Sequence, residues 1–277
     1  MKNFFITGGT SGIGYNCVKY IAKDHNNRVL IISSNKEKGK LAVAKLRKLT
    51  KNNNINFLQC DLSSIKETNR LIYKNQIFKI DVLINNAGAL YFQHQFSKEN
   101  IEKTFALNHM GYFSVTNLLL KKKLIKNGAK IINIASGAHW GVNIDFNDLQ
   151  MNSKYNGWIA YKKSKLCNIL FTRKLSKLLI PKKITVNCIH PGFVKTDFGK
   201  NNFFIFKFIL GLAMRFYAIS LDEGTKTLLF LINDKKNKIT GEYFYKEKIS
   251  PSSTFSKDLK AAEKLWMESY KLLKENL

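Results

Sequence analysis

Lys2-Asn3-Phe4-Phe5-Ile6-Thr7-Gly8-Gly9-Thr10-Ser11-Gly12-Ile13-Gly14 decides how the rest of the chain is read. Phe4, Phe5 and Ile6 run together without polar alternation, which predicts a short buried strand over Lys2–Thr7. Glycines follow at once, and Val18, Ile21 and Ala22 then recur at helical spacing. Strand, glycine turn and helix in that order form the context that a dinucleotide-binding turn requires. Gly8 permits the tight turn, Gly12 lets backbone approach a pyrophosphate, and Gly14 lets the helix pack closely on the strand. The helix N-terminus then offers N–H groups and the positive end of its dipole to phosphates. The spacing is TGxxxGxG rather than GxGxxG.

Further apolar, strand-like runs recur at Arg28–Ser33, Ile55–Cys60, Ile80–Asn85, Lys130–Ala135 and Ile184–Ile189, with a last one near Glu242–Tyr245. Helical patterns separate most of them, which predicts an α/β fold: a doubly wound, mainly parallel, seven-stranded sheet covered on both faces. No long linker or internal repeat interrupts the chain, and Pro181, Pro191 and Pro251 are its only prolines. Residues 1–277 therefore read as a single domain, and that length is ample for a buried core.

The formal charge of +27 comes almost entirely from lysine, alongside abundant asparagine and isoleucine. The pattern spreads over the whole chain, as a coding bias would, and does not concentrate basic and aromatic residues on one element as a specific nucleic-acid footprint does. Weak attraction to anionic membrane surfaces needs only the charge. Cys17, Cys60, Cys167 and Cys188 are scattered and form no CxxC pair, so they read as reduced thiols of a cytoplasmic protein, without a metal site. The chain enters its first strand almost at once, without a signal-peptide pattern.

One segment stands apart. Phe203–Tyr217 is rich in phenylalanine but carries Lys207 and Arg215, which makes it too short and too charged for a membrane span. It reads either as a helix packed on the core or as a lid, near 197–220, over a hydrophobic substrate, with contact to a membrane surface as a further role.

Tyr161 and Lys165 are four residues apart, so on a helix they share one face. A phenol has an unperturbed pKa of about 10, and lowering it to about 8 takes roughly 3 kcal/mol of differential stabilisation. A neighbouring ammonium favours the phenolate and works in that direction. Ser136 follows the apolar run Ile131–Ala135, at the strand end where open α/β sheets bind ligands. Its hydroxyl can donate to a carbonyl oxygen while Tyr161 delivers a proton.

With these residues in place, the chain resembles the short-chain dehydrogenase/reductase family over nearly its whole length, and most of all its retinol dehydrogenase-like members. Asn85-Asn86-Ala87-Gly88, Leu107-Asn108-His109-Met110-Gly111, the stretch from Ala160 to Thr172, and His190-Pro191-Gly192-Phe193-Val194-Lys195-Thr196 carry the resemblance, with Tyr243-Phe244 and Leu265-Trp266 in the tail. It implies a Rossmann-type domain and an oxidoreductase acting on a hydrophobic aldehyde, ketone or alcohol, a retinoid-like or lipid carbonyl among them. It implies Tyr161 as general acid/base, Lys165 as ligand of the nicotinamide ribose, Ser136 as orienter of the substrate carbonyl and Asn108 as holder of a relay water. Gly8, Ser11, Gly12, Ile13 and Gly14 would line the pyrophosphate and ribose, Asp61 and Leu62 the adenine, and Asn86, Ala87 and Gly88 the riboses. Pro191, Gly192, Val194 and Thr196 would border the carboxamide. Relatives dimerise through the run near Met110–Leu120 and the Tyr161 helix, which implies a homodimer.

After the second strand stands Ser33-Ser34-Asn35, with no carboxylate to bind a ribose 2′-hydroxyl or repel a 2′-phosphate, and with Lys36 and Lys38 close by. This predicts NADP(H) as the preferred cofactor and NAD(H) as the alternative. An NAD-linked alcohol dehydrogenase and a non-catalytic NADP-binding scaffold are the competing readings. His139 reads equally as a substrate contact or a packing residue, His190 as structural, Trp140 and Trp158 as pocket residues, and Trp266 as core.

Overall fold

A computed structural model describes residues 1–194, 219–234 and 238–277. Thr196, Lys235-Lys236 and the Phe203–Tyr217 segment lie outside the described residues; of the expected lid near 197–220, only Ile219 and Ser220 are described.

The first strand, β1 (Asn3–Thr7), is buried along its whole length, as an apolar run without alternation must be in a sheet covered on both faces. Parallel to it run β2 (Arg28–Ser33), β3 (Ile55–Gln59), β4 (Ile80–Asn85), β5 (Ile125–Ile134), β6 (Thr185–His190) and β7 (Tyr243–Tyr245), in the spatial order β3-β2-β1-β4-β5-β6-β7. Pairing of Phe5 with both Leu30 and Leu83 places β1 between β2 and β4, where the strand order reverses.

The seven-stranded expectation needs correction, since an eighth strand, β8 (Lys248–Ile249), pairs antiparallel with β7. Lys246 and Glu247 turn the hairpin with φ of 48° and 62°. Two left-handed residues suit a tight hairpin, but the sequence signal for one is Asn-Gly or Asp-Gly, which this turn lacks. The strand expected at Lys130–Ala135 begins earlier, at Ile125, which pairs with Ile80, and the register against β4 slips between Ile80 and Val82.

Helices cover both faces. α1 (Gly12–Ile21) and α2 (Lys36–Thr50) pack on one side, where Phe4, Ile6, Val18, Leu46 and Ile84 share a core. On the other side lie α3 (Ile65–Lys74), α4 (Gly111–Lys121) and the long α5 (Gly157–Leu178), around Phe5, Leu83, Phe113, Leu170 and Phe171. Local chemistry sets the helix starts: Asn35, Ser64 and Asn156 accept from Lys38 N, Glu67 N and Ile159 N. α6 (Leu221–Asn233) returns to the α1 side, where Asn16 donates to Leu221 O, Asp222 Oδ1 and Thr225 Oγ1.

The last helix, α7 (Leu259–Glu275), lies on α5. Its Trp266 stacks on Phe171 and meets Phe113 edge-on, with ring centroids 6.0 and 5.0 Å apart. Phe113 and Phe171 are thus covered by the chain's own C-terminal helix.

Candidate active site

The C-terminal ends of β1 to β6 open on one cleft of about 930 Å³. At its floor the glycine turn is held from below. Gly8 takes φ +70° and Gly12 φ +55°, conformations that suit residues without a Cβ. A Cβ on Gly14 would lie 2.4 Å from Gly8 O and 2.6 Å from Asn86 Nδ2, so this glycine permits the first turn of α1 to sit against the loop. Asn86 Nδ2 donates to Thr7 O and Gly8 O, at 3.0 and 2.9 Å. Its side chain thus fastens the glycine turn to the end of β4. Thr7 Oγ1 does the same from the other side, accepting from Asn86 N and Ala87 N.

The expected residues distribute along the cleft in chain order. Gly8, Ser11, Gly12 and Ile13 line the turn, and Ser33, Ser34 and Asn35 line one end, joined there by Thr10 and Lys38. Thr10 Oγ1 lies 3.3 Å from Ser33 Oγ. Asp61 and Leu62 follow β3, and Asp61 Oδ1 already accepts from Ser63 N and Oγ. Asn86, Ala87 and Gly88 border the middle, and Pro191, Gly192 and Val194 the wall after β6. Gly14 stands behind the turn and not on the cleft surface. Asp61 is the one carboxylate on the described walls, whereas Lys38, Lys103 and Lys165 all face the cleft.

Ser136, Tyr161 and Lys165 meet at the opposite end. Ser136 caps a short turn, its Oγ accepting from Ala138 N, and its side chain acts on the Tyr161 phenol. Burial pushes the Tyr161 phenol up to about 12, against the opposing pull of Ser136. Burial also brings the Lys165 ammonium down to about 7. Lys165 Nζ donates to Ile134 O at 3.0 Å and lies 5.6 Å from the Tyr161 ring centroid. The lowered phenol expected from the four-residue spacing is therefore not what the protein groups alone produce: desolvation of both partners outweighs their attraction.

Asn108 does not line the cleft. It lies fully buried on a π-helical turn, Ala106–Met110, that follows a short helical turn, Lys103–Phe105. Its Oδ1 accepts from Ala89 N at 2.8 Å, and its Nδ2 donates to Ala89 O and Ser164 Oγ, both at 2.9 Å. Ser164 Oγ in turn donates to Tyr161 O at 2.7 Å. Ser164 is thus a site residue that sequence reasoning missed; its place between Tyr161 and Lys165 was the available signal.

His139 proves to be a packing residue. It is buried, its Nδ1 lies 2.7 Å from Ser136 O, and its Nε2 accepts from Ser253 N at 3.1 Å. His190 Nδ1 accepts from Gly192 N, and burial pulls its pKa down to about 4. Trp158 stands on the cleft wall and stacks on Tyr161, 5.7 Å between centroids, whereas Trp140 points elsewhere and is half exposed. Leu90, Tyr91, Lys103, Leu107 and Phe193 also line the cleft. Their own residue types did not mark them as cleft residues, because the path that brings them to the cleft depends on packing.

A doubly wound sheet with a phosphate-sized glycine turn below one end of a cleft, and a buried hydroxyl–phenol–ammonium group at the other, defines a dinucleotide-dependent oxidoreductase. A family model described as short chain dehydrogenase matches residues 2–203, and the chain belongs to that family. The chain is 33% identical over 274 residues to human polyprenol dehydrogenase, covering 95% of this chain and 82% of that one. It is 31% identical over 280 residues to human retinol dehydrogenase 13, covering 98% and 84%. The fold matches an uncharacterized protein from Mycobacterium Paratuberculosis with a TM-score of 0.80 at 24% identity, covering 99% of this chain and 94% of the other. The protein is accordingly an oxidoreductase acting on CH–OH groups, with a nicotinamide cofactor and a small-molecule alcohol or carbonyl substrate. Among the described residues, no helix is long and apolar enough to cross a membrane.

Proposed function

We propose that this protein transfers a hydride between NADP(H) and a hydrophobic aldehyde, ketone or alcohol. The observation that carries the cofactor choice is the cleft end made by Thr10, Ser33, Ser34, Asn35 and Lys38, which holds hydroxyls, amide and ammonium but no carboxylate. An extra phosphate on the ribose would meet donors and a positive charge there, whereas an acidic residue would repel it. The glycine turn and the cleft volume fit a dinucleotide.

When bound, the nicotinamide supplies or accepts the hydride. The remaining chemistry falls to this chain. Tyr161 donates a proton to the forming alkoxide, or takes one from the alcohol. Ser136, on the same stretch of cleft wall, orients the substrate oxygen. Lys165 binds the nicotinamide ribose and favours the phenolate, and Asn108 holds the Gly88–Ala89 loop against the catalytic helix, with a relay water as its further role. An apolar wall of Leu90, Tyr91, Leu107, Trp158 and Phe193 favours an apolar substrate, as do the names of the polyprenol and retinol dehydrogenase relatives. Residues 1–277 act as one domain, and the excess of positive charge gives weak, salt-sensitive attraction to anionic membranes.

Titration of purified protein with NADPH and NADH, followed by cofactor fluorescence, tests this reading. NADPH should bind more tightly and should be oxidised by hydrophobic aldehydes. Tighter NADH binding would overturn the cofactor choice and leave an NAD-linked alcohol dehydrogenase. Absence of binding to either would leave no enzyme reading at all.

A further inference from the structure

Buried polar side chains run from the C-terminal helix to the catalytic lysine. On α7, Ser269 Oγ lies 2.8 Å from His109 Nε2, with both residues fully buried. His109 is the neighbour of Asn108 on the π-helical turn. Asn168, one turn past Lys165 on α5, acts on the His109 ring, although no hydrogen bond joins the two side chains as they stand. Asn168 Nδ2 donates to Ile134 O at 3.3 Å, and Lys165 Nζ donates to that same oxygen at 3.0 Å.

Donor and acceptor counting selects one arrangement. A flipped Asn168 amide would set Oδ1 against Ile134 O, acceptor facing acceptor, so Nδ2 stands toward the strand and Oδ1 elsewhere. His109 Nδ1 and Asn168 Oδ1 are both buried without a hydrogen-bond partner. A proton on Nδ1 satisfies both atoms, and Nε2 then accepts from the Ser269 hydroxyl. The opposite tautomer would leave two buried acceptors facing each other. Burial drives the His109 pKa down to about 3, which keeps the ring neutral.

We propose that Ser269, His109 and Asn168 form a buried hydrogen-bond chain that positions the Lys165 ammonium through the Ile134 carbonyl. The C-terminal helix then serves the active site, with these three as positioning residues and Lys165 as the group they act through. The consequence for turnover rests on the role of Lys165 given above; the hydrogen-bond chain itself does not.

Two measurements on the full-length protein test it. Long-range ¹⁵N–¹H spectra of histidine-labelled protein read the tautomer of His109, assigned as the ring that Ser269→Ala perturbs. An Nδ1–H tautomer is expected, and an Nε2–H tautomer would overturn the proposal. The second compares pH profiles of NADPH-dependent aldehyde reduction for Ser269→Ala and Ser269→Thr. Ser269→Ala should lower kcat roughly two- to thirtyfold at unchanged KM, as coupling through a packed network does. A less well-placed ammonium raises the Tyr161 pKa, so the alkaline limb should move to higher pH. Ser269→Thr should restore both. A folded Ser269→Ala protein with wild-type kcat and profile would sink the proposal. If wild-type protein reduces no aldehyde, the proposed function fails, and the His109 tautomer still decides the chain.

Discussion

Asn108 Nδ2 donates to Ser164 Oγ across 2.9 Å of fully buried space, and Ser164 passes the constraint to Tyr161 O. One side chain thereby ties the loop after β4 to the helix that carries Tyr161 and Lys165. Asn108→Ala leaves Ala89 N and Ser164 Oγ short of partners, a loss of about 1–3 kcal/mol in stability. In a urea-unfolding double-mutant cycle with Ser164→Ala, the pair should show a coupling of about 0.5–3 kcal/mol. Strict additivity would mean that the bond contributes nothing.

Tyr161→Phe removes the hydroxyl proposed as proton donor and keeps the ring that Trp158 stacks on. Turnover should fall by about 10²–10⁴-fold while NADPH binding persists, as read by steady-state kinetics beside a fluorescence titration. Unchanged turnover would reassign the acid.

Gly14→Ala places a methyl group 2.4 Å from Gly8 O, and neither partner is the mobile end of a long side chain. Overpacking of this kind costs about 1–3 kcal/mol. A fall of roughly 3–10 °C in the thermal midpoint should follow, together with weaker dinucleotide binding. A variant that binds as tightly as wild type would remove the glycine turn from the cofactor site.

Ser34→Asp introduces a carboxylate at the end of the cleft that lacks one. Repulsion of a 2′-phosphate should move the ratio of NADPH to NADH affinity toward NADH by roughly tenfold or more, read in paired titrations. No change in that ratio would place the phosphate elsewhere.

Buried imidazoles give the fold a pH dependence of definite sign. Desolvation lowers His109 to about 3 and His190 to about 4, below the ordinary value of 6.5 that holds in the unfolded chain. Between those values the unfolded state binds more protons, so the stability these rings contribute is complete above about pH 6.5 and is lost as pH falls toward 4 and 3. Urea midpoints should therefore drop from pH 7.5 to 4.5. A flat profile would show that both rings accept protons within the fold.

What a few neighbouring residues decide was legible in the sequence. The β1–turn–α1 unit follows from Phe4–Ile6, the glycines and a helical repeat, all within one short stretch of chain. The shared face of Tyr161 and Lys165 follows from helical geometry alone. Tertiary structure decided whatever depends on desolvation or on partners far apart in sequence. Spacing predicts that Lys165 lowers the Tyr161 phenol, but packing buries both groups and drives them the other way. Composition could not say whether His139 touches substrate, since its partners Ser136 and Ser253 converge only in the fold. The covering of Phe113 and Phe171 by Trp266 was equally hidden, because apolar residues on a helix face do not record which distant element buries them.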